Sequence, residues 1–106
     1  MPATDTLFTA LADPTRRAIF ERLARGGEQT VWKLTAPSGV SQPAVSKHLA
    51  VLKGAGLVND RREGRETHYS ARPDGLAPLV DWMSHYGAFW RDSFDKLRDL
   101  LKEIDP

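Results

Sequence analysis

The chain has 106 residues, of which 41% are hydrophobic and 27% charged, which predicts one small globular domain and excludes two separate cores or wholesale disorder. Because it contains no Cys, disulfides, thiolate metal sites and a cysteine nucleophile are excluded. No apolar run approaches the roughly 20 residues of a membrane-spanning helix, and the N-terminus has no signal-peptide pattern, so we expect a cytoplasmic protein.

The formal net charge of +1 conceals an uneven distribution along the chain. Residues 41–72 carry six basic side chains against three acidic ones, whereas residues 73–106 carry four against seven. Residues 1–40 are nearly balanced, with five against four. A basic middle segment beside an acidic C-terminal segment indicates an anionic partner that meets only one part of the chain. An uneven but purely solvated surface is an equally good interpretation of the charges alone.

The first two predicted helices span residues 5–12 and 14–25. Between them, Asp13-Pro14 predicts a restart, because Asp caps free amides and Pro is preorganised for a first helical turn. Each helix carries an apolar stripe, formed by Leu7, Phe8 and Leu11 in the first and by Ile19, Phe20 and Leu23 in the second. Gly26-Gly27 ends the second helix.

Residues 30–54 have the pattern of a helix-turn-helix. A short third helix over 30–37 precedes a Pro-Ser-Gly turn, and a fourth helix over 41–55 begins at the predicted cap Ser41. The inward positions are apolar: Leu34, Val40, Val45, Leu49 and Leu52. This arrangement leaves the outer face of the fourth helix free.

That outer face suits DNA. It consists of Ser41, Gln42, Pro43, Ala44, Ser46, Lys47 and Lys53. Gln42 can bond adenine in a bidentate manner, Ser46 can bond a base edge or a phosphate, and Lys47 suits phosphate or guanine. An ordinary amphipathic helix with a solvated polar face explains the same pattern when the helix is considered alone.

A basic β-hairpin is predicted over 57–71. A two-residue turn at Glu63-Gly64 pairs Val58 with Tyr69 and Arg61 with Glu66. Arg61, Arg62 and Arg65 surround this turn, where they gain no packing, and guanidinium groups suit phosphates and narrow minor grooves. A charged hairpin that only solubilises a sheet edge is the alternative. Next to a helix-turn-helix, the hairpin favours DNA binding.

One long helix is predicted over 75–104. Leu76, Met83, Trp90, Leu97 and Ile104 recur every seven residues, and further apolar residues flank this repeat. The resulting apolar arc is wider than a domain of this size readily covers. Trp32, Trp82, Phe89 and Trp90 are expected in the core or an interface, with an apolar ligand pocket as the alternative.

Four stretches resemble the ArsR/SmtB family of bacterial winged helix-turn-helix repressors. They are Ala-Leu-Ala-Asp-Pro-Thr-Arg-Arg at 10–17, Val-Ser-Gln-Pro-Ala-Val-Ser-Lys-His-Leu at 40–49, Leu52 with Gly-Leu-Val at 56–58, and Arg-Glu-Gly-Arg at 62–65. The resemblance covers nearly the whole chain, in order and spacing. It implies a single domain, mainly α with a small β-hairpin, of five helices plus a wing. It also implies a sequence-specific regulator that binds a palindromic operator in double-stranded DNA, as a repressor of its own operon.

The family resemblance further implies a homodimer held by the first and last helices. This agrees with the wide apolar arc of the last helix. The predicted interface consists of Leu7, Phe8, Leu11, Trp82, Met83, Tyr86, Phe89, Trp90, Phe94 and Leu97.

The metal-sensing half of the family pattern is not matched. The chain lacks Cys, and Asp81 and His85 are four residues apart where the family site needs an Asp-x-His pair and a second His. We therefore predict no metal and no cofactor, and leave any small-molecule effector unknown. Without a Gly-rich phosphate loop or a nucleophile elbow, an enzyme is not expected. The alternatives are a protein-interaction module without DNA binding and a sensor of a small ligand or of a metal bound without Cys.

Overall fold

The computed structural model describes residues 3–104, which form six α-helices and a small antiparallel sheet. The helices are α1 (Ala3–Ala12), α2 (Pro14–Gly26), α3 (Val31–Ser38), α4 (Gln42–Gly54), α5 (Ala77–Ser84) and α6 (Gly87–Ile104). The strands are β1 (Gln29–Thr30), β2 (Val58–Glu63) and β3 (Glu66–Ala71), in the order β1-β3-β2. The predicted mainly helical fold with a β-hairpin is confirmed. Within the described range, no helix is long and apolar enough to cross a membrane.

The corner between α1 and α2 forms where Asp13-Pro14 predicts it. The Asp13 carboxylate accepts a hydrogen bond of 2.9 Å from the backbone N–H of Arg16, which caps α2. This hydrogen bond holds the pKa of the Asp13 carboxyl below its usual value. Arg16 and Arg17 in turn donate to the carbonyl oxygens of Ala10 and Leu11, at 2.6 and 2.8 Å. The two arginines therefore satisfy the free carbonyl end of α1.

The hydrophobic core lies entirely between α1 and the start of β2 in the described chain. Its buried residues are Leu7, Ala10, Ile19, Phe20, Leu23, Leu34, Val45, Leu49, Leu52, Leu57 and Val58. Leu76 and Leu79 pack only partly against it, and α5 and α6 contribute no buried side chain over their described length. The molecule measures 58 × 36 × 23 Å with a radius of gyration of 17.8 Å. A compact chain of this length has about 13 Å, so the molecule is elongated.

The C-terminal segment differs from the predicted single helix over 75–104. A 3₁₀ turn over Pro73–Leu76 comes first, and α5 is separated from α6 by His85 and Tyr86. At this break the N–H groups of His85 and Tyr86 bond to carbonyls three residues earlier, at 3.3 and 3.0 Å. Gly87 has low helix propensity, and the Ser84 hydroxyl bonds to the Asp81 carbonyl. The heptad spacing of apolar residues continues across the break and therefore did not reveal it.

The start of this segment is anchored to the base of the hairpin by a close backbone approach. The Arg72 N–H donates to the Leu57 carbonyl at 2.8 Å. A Cβ atom at Gly75 would collide with the backbone carbonyl of Gly56. Glycine is therefore required at position 75 for this contact.

Candidate nucleic-acid interface

The helix-turn-helix consists of α3, a tight turn and α4. Gly39 ends α3 in the left-handed region with φ of 75°, a conformation that glycine adopts without strain. Thr30 caps α3, and Ser41 caps α4 by accepting a hydrogen bond of 3.3 Å from the N–H of Ala44. Each cap satisfies a backbone N–H in the first turn of the helix that follows it.

The recognition helix, α4, separates its residues into two faces. Val45, Leu49 and Leu52 are fully buried against the core. The opposite face exposes Ser41, Gln42, Pro43, Ser46, Lys47 and Lys53, while Ala44 is half-buried. The predicted base-reading side chains are thus brought together on one accessible surface.

Lys53 differs from the other cations of this helix. Its ammonium forms an ion pair of 3.0 Å with Asp60 at the start of the hairpin. Lys47 forms no ion pair within residues 3–104. Lys47 is therefore available to pair with an anion, whereas Lys53 ties α4 to the hairpin.

The wing, which is the β2–β3 hairpin, has a different register from the predicted one. Val58 pairs with Ala71, Arg61 with His68, and Glu63 with Glu66. The expected pairs of Val58 with Tyr69 and Arg61 with Glu66 are wrong by two residues. Because Glu63 pairs with Glu66, the two-residue turn is Gly64-Arg65. Gly64 has a φ of 62°, and only glycines have a positive φ within residues 3–104. Glycine at the first central position is typical of a type II′ turn.

Alternation along β2 places its two arginines on opposite faces. Val58 is buried and Asp60 bonds to α4, so Arg62 lies on the face turned towards the recognition helix. Arg62 and Arg65 are exposed and unpaired within the described residues. They extend the cationic surface of α4 across the wing.

Arg61 lies on the other face and is held by two carboxylates. Its guanidinium contacts Glu28 at 2.6 Å and Glu63 at 2.9 Å. The hydrogen bonds from Arg61 lower the pKa of the Glu28 carboxyl, and those to Glu28 and Glu63 raise the pKa of Arg61 itself. The nitrogens of the His68 ring lie 3.7 to 3.8 Å from carboxylate oxygens of Glu28, Glu63 and Glu66. This face of the wing therefore carries more carboxylates than guanidinium groups, and Arg61 is neutralised there.

Sequence reasoning missed Glu28 as the partner of Arg61. The short strand β1, which follows Glu28, pairs with β3 through Gln29 and Tyr69 and adds a third strand to the wing. A two-residue strand leaves no period-2 signal in the sequence. Only the long-range pairing brings Glu28 to the hairpin.

Trp32 lies at an exposed position on α3. It is 76% exposed and therefore lies outside the core, whereas the sequence predicted it in the core or in an interface. Together with Gln42 and Arg65 it lines a groove between α3, α4 and the wing turn. The inward positions Val31 and Leu34 on the same short helix indicate that position 32 faces outwards.

A separate apolar surface covers α5, α6 and one side of α1. Its large exposed side chains include Phe8, Val80, Trp82, Met83, Tyr86, Phe89, Trp90, Phe94, Leu97, Leu100, Leu101 and Ile104. Phe8 meets Trp82 edge-to-face with ring centroids 5.4 Å apart, which joins α1 to α5. Contiguous exposed apolar surface of this kind marks an interaction site.

Of the predicted interface residues, Leu7 lies elsewhere and Leu11 is only partly exposed. Leu7 is only 1% exposed and belongs to the core of its own chain, so it has no surface to offer a partner. Leu11 is half-buried and packs against the same core. Both face inwards because α1 turns Leu7 and Ala10 towards α2.

The described part of the chain contains no group of three or more His, Cys, Asp or Glu side chains placed to hold a metal ion. The Nδ1 atom of His85 lies 3.3 Å from the carbonyl oxygen of Trp82, in the preceding turn of the chain.

Comparison with known proteins gives concordant matches. Residues 11–61 match the helix-turn-helix domain family HTH_20. The HTH-type transcriptional regulator Rv2034 of Mycobacterium tuberculosis is 53% identical over 75 residues, covering 71% of this chain and 69% of the relative. The arsenical resistance operon repressor of Escherichia coli is 43% identical over 101 residues, covering 92% and 81%. The solved structure of an ArsR-like transcriptional regulator from Rhodococcus sp. RHA1 superposes with a TM-score of 0.71 at 30% identity, covering 92% of each chain.

Proposed function

We propose that this chain, which belongs to the ArsR/SmtB family of DNA-binding transcriptional repressors, binds a palindromic operator as a homodimer. It represses its own operon. The family is one of transcriptional regulators and not of enzymes. The single domain of residues 1–106 both binds DNA and dimerises.

DNA binding is supported above all by one continuous surface, formed by the recognition helix and one face of the wing, on which cations are exposed and, among the described residues, unpaired. Lys47, Arg62 and Arg65 are exposed and unpaired there within the described chain, while Arg61 on the far face is neutralised by Glu28 and Glu63. Unpaired cations on one side of a domain are the electrostatic footprint of a nucleic-acid interface.

The predicted DNA-binding residues of the recognition helix and the wing have distinct roles. Gln42, Ser46 and Lys47 read base edges in the major groove or bind the adjacent phosphates, and Pro43 and Ala44 contact thymine methyl groups. Ser41 orients the helix through its cap. Lys53 neutralises phosphate from the end of α4, with Asp60 holding its ammonium in place. Arg62 and Arg65 anchor the wing on phosphates or in the minor groove. Arg61 stabilises the wing from its opposite face through Glu28 and Glu63.

The apolar surface of α1, α5 and α6 supports the homodimer. Phe8, Trp82, Met83, Tyr86, Phe89, Trp90, Phe94 and Leu97 are all exposed there. Pairing this surface with a second copy about a two-fold axis covers it without exposing new apolar area. Two recognition helices related by that axis read half-sites about one helical turn apart, or a multiple of it.

The experiment is a fluorescence anisotropy titration of labelled duplex across a salt series. We expect tight binding to DNA from the upstream region of its own operon and weaker, salt-dependent binding to a mixed-sequence duplex. Gln42→Ala should flatten the base preference and cost about 1–3 kcal/mol at one base pair. Arg62→Ala should weaken binding to all sequences nearly alike.

The outcomes separate the rival functions. Absence of salt-dependent binding to any duplex would identify a protein-interaction module and overturn the DNA-binding proposal. A sensor of metals or apolar compounds would show a raised thermal midpoint with its ligand, since binding to the native state stabilises it.

A further inference from the structure

The groove between the recognition helix and the wing holds a tryptophan to which the proposed function gives no role. Trp32 is the second residue of α3, and its exposed fraction of 76% is the largest among the large apolar side chains of residues 3–104. Exposure of this much apolar surface to water is unfavourable. The helix nevertheless holds it outwards, because Val31 and Leu34 occupy the inward positions.

Three elements meet around this indole. The groove has a volume of about 230 Å³, and α3 contributes Trp32 while α4 contributes Gln42. The wing contributes Arg65 from its turn and Glu66 and Thr67 from β3. The groove is therefore continuous with the DNA-binding surface proposed above, and lies where the recognition helix and the wing come together.

Self-association does not explain the exposure of Trp32. The aromatic contacts of the apolar surface run from Phe8 through Trp82 to Tyr86, and from Phe89 through Trp90 to Phe94. Trp32 belongs to neither chain of contacts in the described residues. A second copy placed on α1 and α6 would leave Trp32 beside Gln42 and Arg65, on the surface proposed to meet DNA.

The chemistry of the groove suits a sugar-phosphate backbone. Arg65, which lines the groove, is exposed and forms no ion pair within residues 3–104, so its guanidinium is available to an anion beside the groove. The indole of Trp32 favours an apolar surface adjacent to that anion. Deoxyribose presents such a surface between successive phosphates.

We infer that Trp32 is a further DNA-contacting residue, whose indole packs against a deoxyribose of the operator backbone while Arg65 binds an adjacent phosphate. The inference rests on the proposed DNA-binding function and adds α3 to its contact surface. The contact is with the backbone and not with a base, so it operates on any duplex sequence.

Titration of a mixed-sequence duplex across a salt series tests this contact without knowledge of the operator. Trp32→Ala should weaken binding about tenfold, because apolar burial is lost, and leave the salt slope unchanged, because indole carries no charge. Trp32→Phe should recover most of the affinity. Arg65→Ala is the matched control and should lower the salt slope by about 1. Since Trp32 is exposed, its variants should keep the wild-type thermal midpoint.

Fluorine NMR of protein labelled with 5-fluorotryptophan gives a direct readout. The chain has three Trp residues, and Trp32→Phe assigns the signal of Trp32. Addition of the duplex should shift that signal. Normal salt-dependent binding by Trp32→Ala together with an unmoved Trp32 signal overturns the inference and leaves the proposed function intact. Failure of the wild-type protein to bind any duplex overturns both.

Discussion

Residues 3–76 and residues 77–104 use their apolar side chains in opposite ways. Every buried apolar side chain of the described chain lies between Leu7 and Val58, where four helices and the base of the wing form the core. Helices α5 and α6 bury none of theirs, although they carry most of the large exposed apolar residues between positions 3 and 104. The first region encloses its own core, whereas the second leaves most of its large apolar side chains exposed.

The charges of the two regions differ in the same way. In α6, Lys96 pairs with Asp92 and Arg98 pairs with Asp95, so these charges are balanced along the helix itself. In the first region, Lys47 and Arg62 remain unpaired among the described residues. One end of the molecule is thus suited to an anion and the other to an apolar surface, which allows DNA and a second copy to bind together.

The largest expected effect comes from a cavity in the first region. Leu49→Ala should lower the free energy of unfolding by about 2–5 kcal/mol, because Leu49 is fully buried. Urea unfolding at several protein concentrations measures this loss, which should be the same at each concentration. Leu100→Ala on the exposed face of α6 is the control and should alter mainly the concentration dependence. Equal losses from both variants in dilute solution would contradict the division into two regions.

The second prediction concerns the apolar surface. Trp90→Glu should weaken self-association at least about a hundredfold, because a carboxylate would be buried without a partner. Sedimentation velocity should then show a monomer at concentrations where the wild-type protein is a dimer. Lys102→Glu places a carboxylate elsewhere on the same helix and should leave the dimer intact. An unchanged Trp90→Glu dimer would move the interface away from α6.

The third prediction compares the two faces of the wing. Arg62→Ala should lower the salt slope of duplex binding by about 1, because one phosphate contact is lost. Arg61→Ala removes the same charge but should lower the slope less, since the guanidinium is occupied by Glu28 and Glu63. Titrations of both variants across one salt series make the comparison. A larger effect from Arg61 would assign the DNA to the opposite face.

The smallest effect is a pH dependence. Arg61 lowers the folded-state pKa of Glu28 from its ordinary value of 4.5, so the stabilisation is complete above that value. It is lost as pH falls through the lowered folded-state pKa. Thermal midpoints measured across this acid range should fall less steeply for Glu28→Gln than for the wild-type protein. Parallel pH profiles would show that the ion pair contributes nothing.

Local signals predicted much of the fold and part of the candidate site. Asp13-Pro14, Gly39 and Ser41 mark helix ends through bonds within a few residues, and all three act there as predicted. The outward positions Gln42, Ser46 and Lys47 follow from the inward spacing of Val45, Leu49 and Leu52. The wing register could not be derived in this way, because moving the turn by one residue changes each pairing by two while keeping every side chain on its face.

The sequence by itself determined the family, the order of helices and hairpin, and the amphipathic division of α4, because these depend on residue types at short, regular spacings. The tertiary structure alone decided which charges remain available. Glu28 reaches Arg61 only through the pairing of β1 with β3, and packing of α1 on α2 turns Leu7 into the core. The net charge of +1 therefore does not show which charged side chains remain available to a partner. An ion pair depends on distances that residues far apart in sequence acquire only on folding.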